Sequence, residues 1–166
     1  MNRTLEEYHL KHKFITSLTL GLLCTFLTGC GEDPELTHFR NNMDGFCEKI
    51  AEIDTAINHI DASSENAPEE LLDYLDELDL IFQSLGRMDF PEEFDYLEPI
   101  ADEAGSYMTE AVKSYHEAFA NDSYNEFSAD YAGQNYSRAY KRVKIILDFL
   151  QGETPEDAEI SIEYSE

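Results

Sequence analysis

Three thiols, five imidazoles and 36 carboxylates are the groups in this chain with chemistry to offer. The thiol in the most defined setting is Cys30, which lies between Gly29 and Gly31 where an apolar run gives way to Glu32-Asp33-Pro34. Thr28 and Gly29 before it are small. Cys47 stands between Met43 and Ile50 of an apolar seam and reads as a buried small hydrophobe, with a nucleophile or an intermolecular bridge as the other readings. Glu35-Leu36-Thr37-His38 has the Glu-x-x-His spacing of metal sites in carboxylate bundles. Such a centre takes two inward-facing pairs, and neither His59 nor His116 has a Glu three residues before it. The expectation is therefore exposed histidine and no dedicated metal.

Glu69, Glu70, Asp73, Asp76 and Glu77 form an acid stripe that fits either weak cation binding or a plain solvated face. No calcium loop, G-x-S-x-G, paired C-x-x-C, Walker or G-x-G-x-x-G pattern occurs, and no catalytic residues and no enzymatic activity are expected. Arg138, Lys141, Arg142 and Lys144 are half of the eight basic residues after Cys30. Placed in the last turns of a fourth helix, they complement its C-terminal dipole and neighbouring acids. A sharper reading makes them a membrane-proximal cluster on anionic headgroups, at ~1 kcal/mol for each side chain. Tyr107, Tyr115, Tyr124, Tyr131, Tyr136 and Tyr140 gather on the third and fourth helices. Their rings are expected at the seam edge with hydroxyls in water, or else around a ligand or peptide groove.

The elements that must position these groups follow from periodicity. Asp33-Pro34-Glu35 is an N-cap, a first-turn proline and a dipole-complementing acid. Phe39, Met43, Phe46, Ile50, Ile53, Ile57 and Ile60 then recur in alternating steps of four and three, the seam of a bundle helix. Ala62 to Ala67 is a loop, and Pro68 opens a helix with seam Leu71, Leu75, Leu78, Phe82 and Leu85, stopped by Gly86 as a C′ residue. Pro91 opens a third, with Leu97, Ala101, Ala104, Met108, Ala111, Tyr115 and Ala118, whose alanines let a neighbour approach closely. Ser123 to Glu126 has the S-x-x-E form of a capping box, and a fourth helix carries Tyr136, Ala139, Val143, Ile146 and Leu150, with a kink expected at Gly133 and a stop at Gly152.

Four helices with short connections predict an all-α, antiparallel up-down four-helix bundle over residues 35–152, preceded by a short tether, 30–34. The longest helices, ~28 residues, would reach roughly 42 Å. Residues 153–166, with six acids and no base, read as an acidic disordered tail. The formal charge of −25 repels nucleic-acid phosphate, so nucleic acid is excluded as a general partner. Apolar residues at 42% and aromatics at 12% argue for a folded core under an acidic skin rather than a disordered acidic chain.

The first 29 residues read as an address. Lys11-His12-Lys13 precedes Phe14 to Leu27, 14 residues without a charge, short of the roughly 20 that span a bilayer. Leu27-Thr28-Gly29-Cys30 resembles the bacterial lipobox, although Glu6 and Glu7 put acid where that pattern is basic. The resemblance implies a signal peptide over 1–29, cleavage between Gly29 and Cys30, and a diacylglyceryl lipid on the Cys30 sulfur as the sole attached group. The chain would then sit at the extracytoplasmic face of the cell membrane. The remainder resembles small helical lipoproteins of gut Gram-positive bacteria, through Pro91-Glu92-Glu93-Phe94 and Tyr107-Met108, a group that brings no activity with it. The functional expectation is a non-catalytic module binding an envelope protein or peptide. The alternative is a small-ligand or cation-binding lipoprotein serving a transporter, which requires a polar cavity lined by Tyr115, Tyr136 or His116, or close pairs of inward carboxylates.

Overall fold

The computed structural model describes residues 33–120, 124–153 and 155. The expected leader with Gly29, the expected anchor residue Cys30 and most of the acidic tail lie outside the described residues. Helix α1, Pro34–Asn58, opens as its first residues dictate: the Asp33 carboxylate accepts the Glu35 N–H at 3.0 Å, and its carbonyl accepts the Thr37 N–H at 2.9 Å. Its six seam residues from Phe39 to Ile57, and Ile60 just beyond its end, are all buried. Helix α2, Ala67–Leu85, buries Leu71, Leu75, Leu78, Phe82 and Leu85. Gly86 follows at φ −67°, so the left-handed C′ conformation expected there is absent. What this glycine provides is proximity, because a Cβ on it would meet Asp102 Oδ1 at 2.6 Å.

The third helix departs from its expected start. Pro91 leads into a 3-10 helix, Glu92–Leu97, and α3 proper runs Glu98–Phe119 with Pro99 in its first turn. Helix α4, Glu126–Leu150, is continuous through Gly133. Its N-cap is Asn125, whose Oδ1 accepts the Ser128 N–H at 3.2 Å, in place of the Ser123 capping box; Ser123 lies outside the described residues. At the other end Gly152 adopts φ +75°, which turns the Glu153 N–H back onto the Asp148 carbonyl at 2.8 Å. Pro155, beyond this stop, is buried. The longest helices hold 25 residues, about 38 Å, rather than ~28.

The protein is all-α, an antiparallel up-down four-helix bundle. Direction is visible in pairings that run opposite along α2 and α3: Asp76 meets His116 at 2.7 Å, and Thr109 donates to Asp79 at 2.7 Å and accepts from Gln83 at 2.6 Å. Gly105 lies beyond them against the Phe82 carbonyl. The α3 and α4 backbones approach most closely, then α2 and α3, then α1 and α2, whereas α1 and α4 hardly approach at all. Side-chain size accounts for this order. Ala101, Ala104, Ala111, Ala118, Ala129, Ala132 and Ala139 are fully buried on α3 and α4, and short side chains permit short interaxial distances. Phe46, Ile50 and Ile57 on α1 and Tyr136 and Tyr140 on α4 are bulky and buried, and they hold those axes apart.

An enlarged residue in the close seam therefore has nowhere to go. Ala104→Leu is expected to lower unfolding free energy by about 1–3 kcal/mol, the range for overpacking a dense core. A shift of the urea midpoint in far-ultraviolet circular dichroism measures it; an unchanged midpoint would mean that the seam is loose.

Candidate functional site

The most organised polar group in the bundle is one that periodicity concealed. Along α4, Tyr136 and Tyr140 are one turn apart, their rings stacked with centroids 4.7 Å apart, and both are buried at 5% and 0% exposure. Across the wide α1–α4 gap stands Asp54, whose Oδ1 accepts hydrogen bonds from Tyr140 Oη at 2.9 Å and Tyr136 Oη at 3.1 Å. The two hydroxyls lie 2.9 Å from each other. Phe82 of α2 touches Tyr140 at 5.4 Å between ring centroids, and Phe46 of α1 touches Phe82 at 5.6 Å. A line of four rings thus crosses the core and ends on a carboxylate. The expected placement of tyrosine hydroxyls in water is wrong for Tyr136 and Tyr140, whose whole rings fill the wide gap opposite α1, for Tyr115, whose hydroxyl lies against Gly133 in the α3–α4 seam, and for Tyr124, whose Oη is buried. It holds for Tyr131, which is 41% exposed.

Burial pushes the Asp54 carboxyl above its ordinary value of 3.8, against the opposing pull of hydrogen bonds from Tyr140 and Tyr136. The Tyr136 hydroxyl is pushed well up by burial and then by the negative charge shared with Tyr140 and Asp54. Both hydroxyls thus remain protonated donors. A raised carboxyl value means that the folded state binds this proton more tightly than the unfolded one. Its stabilising effect is full below 3.8 and is lost as pH rises through the raised folded value. Asp54→Asn keeps an acceptor oxygen for both tyrosines but removes the ionisation. The stability difference, variant minus wild type, should grow more favourable to Asn from acid to neutral pH in parallel thermal melts. A difference independent of pH would show that the carboxylate is not desolvated.

The basic quartet is divided. Arg142 pairs with Glu103 of α3 and lies 5.5 Å from the centre of the Tyr107 ring, where Arg138 also sits at 5.7 Å while donating to Asn135 Oδ1. Lys144, about 200° round the helix from Arg142, pairs with Asp148 of its own helix at 2.6 Å. Lys141 is exposed. The last turn of α4 contains no basic residue, so the expected position in the last turns is corrected: Arg138 lies roughly 18 Å from the end of the helix. Complementation of neighbouring groups accounts for Arg138, Arg142 and Lys144.

Cys47 is buried beside the α1 seam. His38 is exposed near Glu35, and among the described residues no group of three or more His, Cys, Asp or Glu side chains could hold a metal ion. Glu69, Glu70, Asp73, Asp76 and Glu77 are all exposed, and Asp76 is engaged with His116. The surface depressions among the described residues include one of about 310 Å³ along the α2–α3 crossing at Gly86 and Gly105, and one of about 600 Å³ between Asp33, Glu35, Leu36 and the Pro91–Glu93 turn. Neither is lined by Tyr115, Tyr136 or His116.

A second feature that periodicity concealed lies outside the core. The first half of α4 turns Ser128, Ala129, Ala132, Asn135 and Tyr136 inward. Phe127, 81% exposed, and Tyr131 are left one turn apart on the outer face, flanked by exposed Glu126 and Asp130. The signal was legible in hindsight as two aromatics at i and i+4 that are out of phase with the Tyr136, Ala139 and Val143 seam.

Comparison with protein-family models, with curated proteins and with solved structures returned no match.

Proposed function

We propose that this chain is a lipid-anchored, extracytoplasmic binding module: acyl chains on Cys30 hold an acidic helical bundle at the cell membrane, and its outer surface engages an envelope protein or peptide without catalysing a reaction. The packed interior is the observation that carries this reading. Met43, Ile50, Leu75, Leu78, Phe82, Met108 and Tyr140 are all fully buried at the centre of the four helices, which leaves the exterior as the surface that meets other molecules. Tyr115 and Tyr136, the residues a ligand cavity would need, are 2% and 5% exposed and form part of that packing. His116 is on the surface and paired with Asp76. Among the described residues no helix is long and apolar enough to cross a membrane.

With a formal charge of −25, association should favour cationic partners and weaken with salt. Affinity capture from a detergent-solubilised envelope, with the bait charge-matched by an unrelated acidic bundle, tests the reading. A specific partner eluted by moderate salt is expected. A stoichiometric divalent metal or a small molecule in the purified chain would replace this reading with the transporter-associated one.

A further inference from the structure

We propose that the outer face of the first half of α4, Phe127 and Tyr131 between Glu126 and Asp130, is a docking surface for a cationic protein segment that carries an apolar anchor side chain. The inference rests on the binding-module reading and names the place and the partner chemistry. A buried aromatic covers some 150–250 Å², and two of them one turn apart offer an anchoring surface with little side-chain entropy to lose. Nothing in the fold requires them there. Phe127 is 81% exposed and Tyr131 is 41% exposed, while the inward residues of the same turns are small.

Charge selects the occupant. Glu126 and Asp130 flank the rings on the exposed surface, and the first basic residue along α4 is Arg138, two turns further on and engaged with Asn135 and Tyr107. The field of these acids is felt nearby: the Tyr124 hydroxyl, against Phe119 at the head of the same face, is pushed up to about 12 by burial and then by Asp130 and Glu126. A second copy of the chain would bring like charges together, each copy with −25. An anionic bilayer is disfavoured for the same reason and by position. The start of α1, four residues after Cys30, and the end of α4 share one pole of the antiparallel bundle, whereas Phe127 lies roughly 35 Å along α4 from that pole. The face therefore points away from the anchor.

The test uses the purified full-length chain in neutral detergent and a fluorescent amphipathic peptide of leucine and lysine as the probe, read by anisotropy. Wild-type binding is expected, with about a tenfold loss in Phe127→Ser/Tyr131→Ser, the size expected of anchor residues. A comparable loss is expected in Glu126→Gln/Asp130→Asn. The exposed acid pair on α2, changed in Asp73→Asn/Glu77→Gln, should leave affinity within about twofold of wild type. Thermal melts of all variants should superimpose, since each residue is exposed.

Four results would overturn the proposal: no binding by wild type, equal binding by the Phe127/Tyr131 variant, equal loss in the α2 control, or loss in that variant of self-association or of binding to phosphatidylglycerol-containing vesicles. In cells, a photo-crosslinking phenylalanine analogue at position 127 should trap an envelope protein. Trapping from position 80, at exposed Leu80 of α2, but not from 127 would discard this face and leave the binding-module reading in place.

Discussion

Replacing Cys30 with alanine is expected to abolish fatty-acid labelling of the chain and cleavage before residue 30. Retention should change from durable to partial. Each methylene buried in a bilayer contributes ~0.8 kcal/mol, one acyl chain binds only marginally, and two hold a protein in place. Without the sulfur there is no attachment point, and the leader stays on. Its uncharged run of 14 residues is shorter than the roughly 20 needed to span, so it substitutes poorly for acyl chains. Mass spectrometry of the wild-type chain should show the mature N-terminus at Cys30 with an acyl increment. A wild-type Cys30 without that increment, on a chain cut at another bond and free in the medium, would remove the anchor from the account.

Replacing Tyr140 with alanine is expected to cost about 3–5 kcal/mol, the range for deleting a fully buried aromatic ring. Against a total of roughly 5–15 kcal/mol for a domain this threatens the fold itself. The ring is in contact with Phe82 and Tyr136, and its hydroxyl is one of two donors to Asp54. Tyr140→Phe keeps the ring and loses that donor, and should cost about 1–2 kcal/mol. Combined with Asp54→Asn, it should show a total that departs from the sum of the two single changes, because both act on one shared network. Urea unfolding with an unchanged slope is the measurement. An alanine variant within about 1 kcal/mol of wild type would mean that the α1–α4 gap can collapse around the loss.

Both expectations draw on the sequence to different depths. Cys30 is read from local type and spacing, and the structure does not describe it. Tyr140 lies one step outside the Tyr136, Ala139, Val143 seam, and nothing beside it along the chain marks its hydroxyl as buried. The helix seams themselves were legible: every seam residue named on α1, α2 and α3 is buried. Periodicity reports which face of a helix turns inward, and four such faces joined by short loops leave few topologies. Boundaries were less legible where two signals competed. Pro91 is followed by a 3-10 helix rather than α3, and Asn125 caps α4 although Ser123 had the better motif.

The alanines of the third seam announce a close neighbour, but periodicity does not say which helix supplies it, since that depends on residues brought together from different segments. Asp54 looked like one acid among 36 until the fold placed it against two tyrosines more than 80 positions away. The basic quartet is contiguous in sequence, yet Arg142 faces Glu103 and Lys144 faces Asp148, because consecutive helical residues point about 100° apart. The sequence by itself therefore determined the class, the order and the inward faces of the helices, along with the lipobox-like motif, since each is written in neighbours along the chain. Only the tertiary structure decided the Asp54–tyrosine cluster, the choice of α4 as the close neighbour of α3 and the exposed Phe127–Tyr131 pair, since each depends on side-chain volumes meeting across helices.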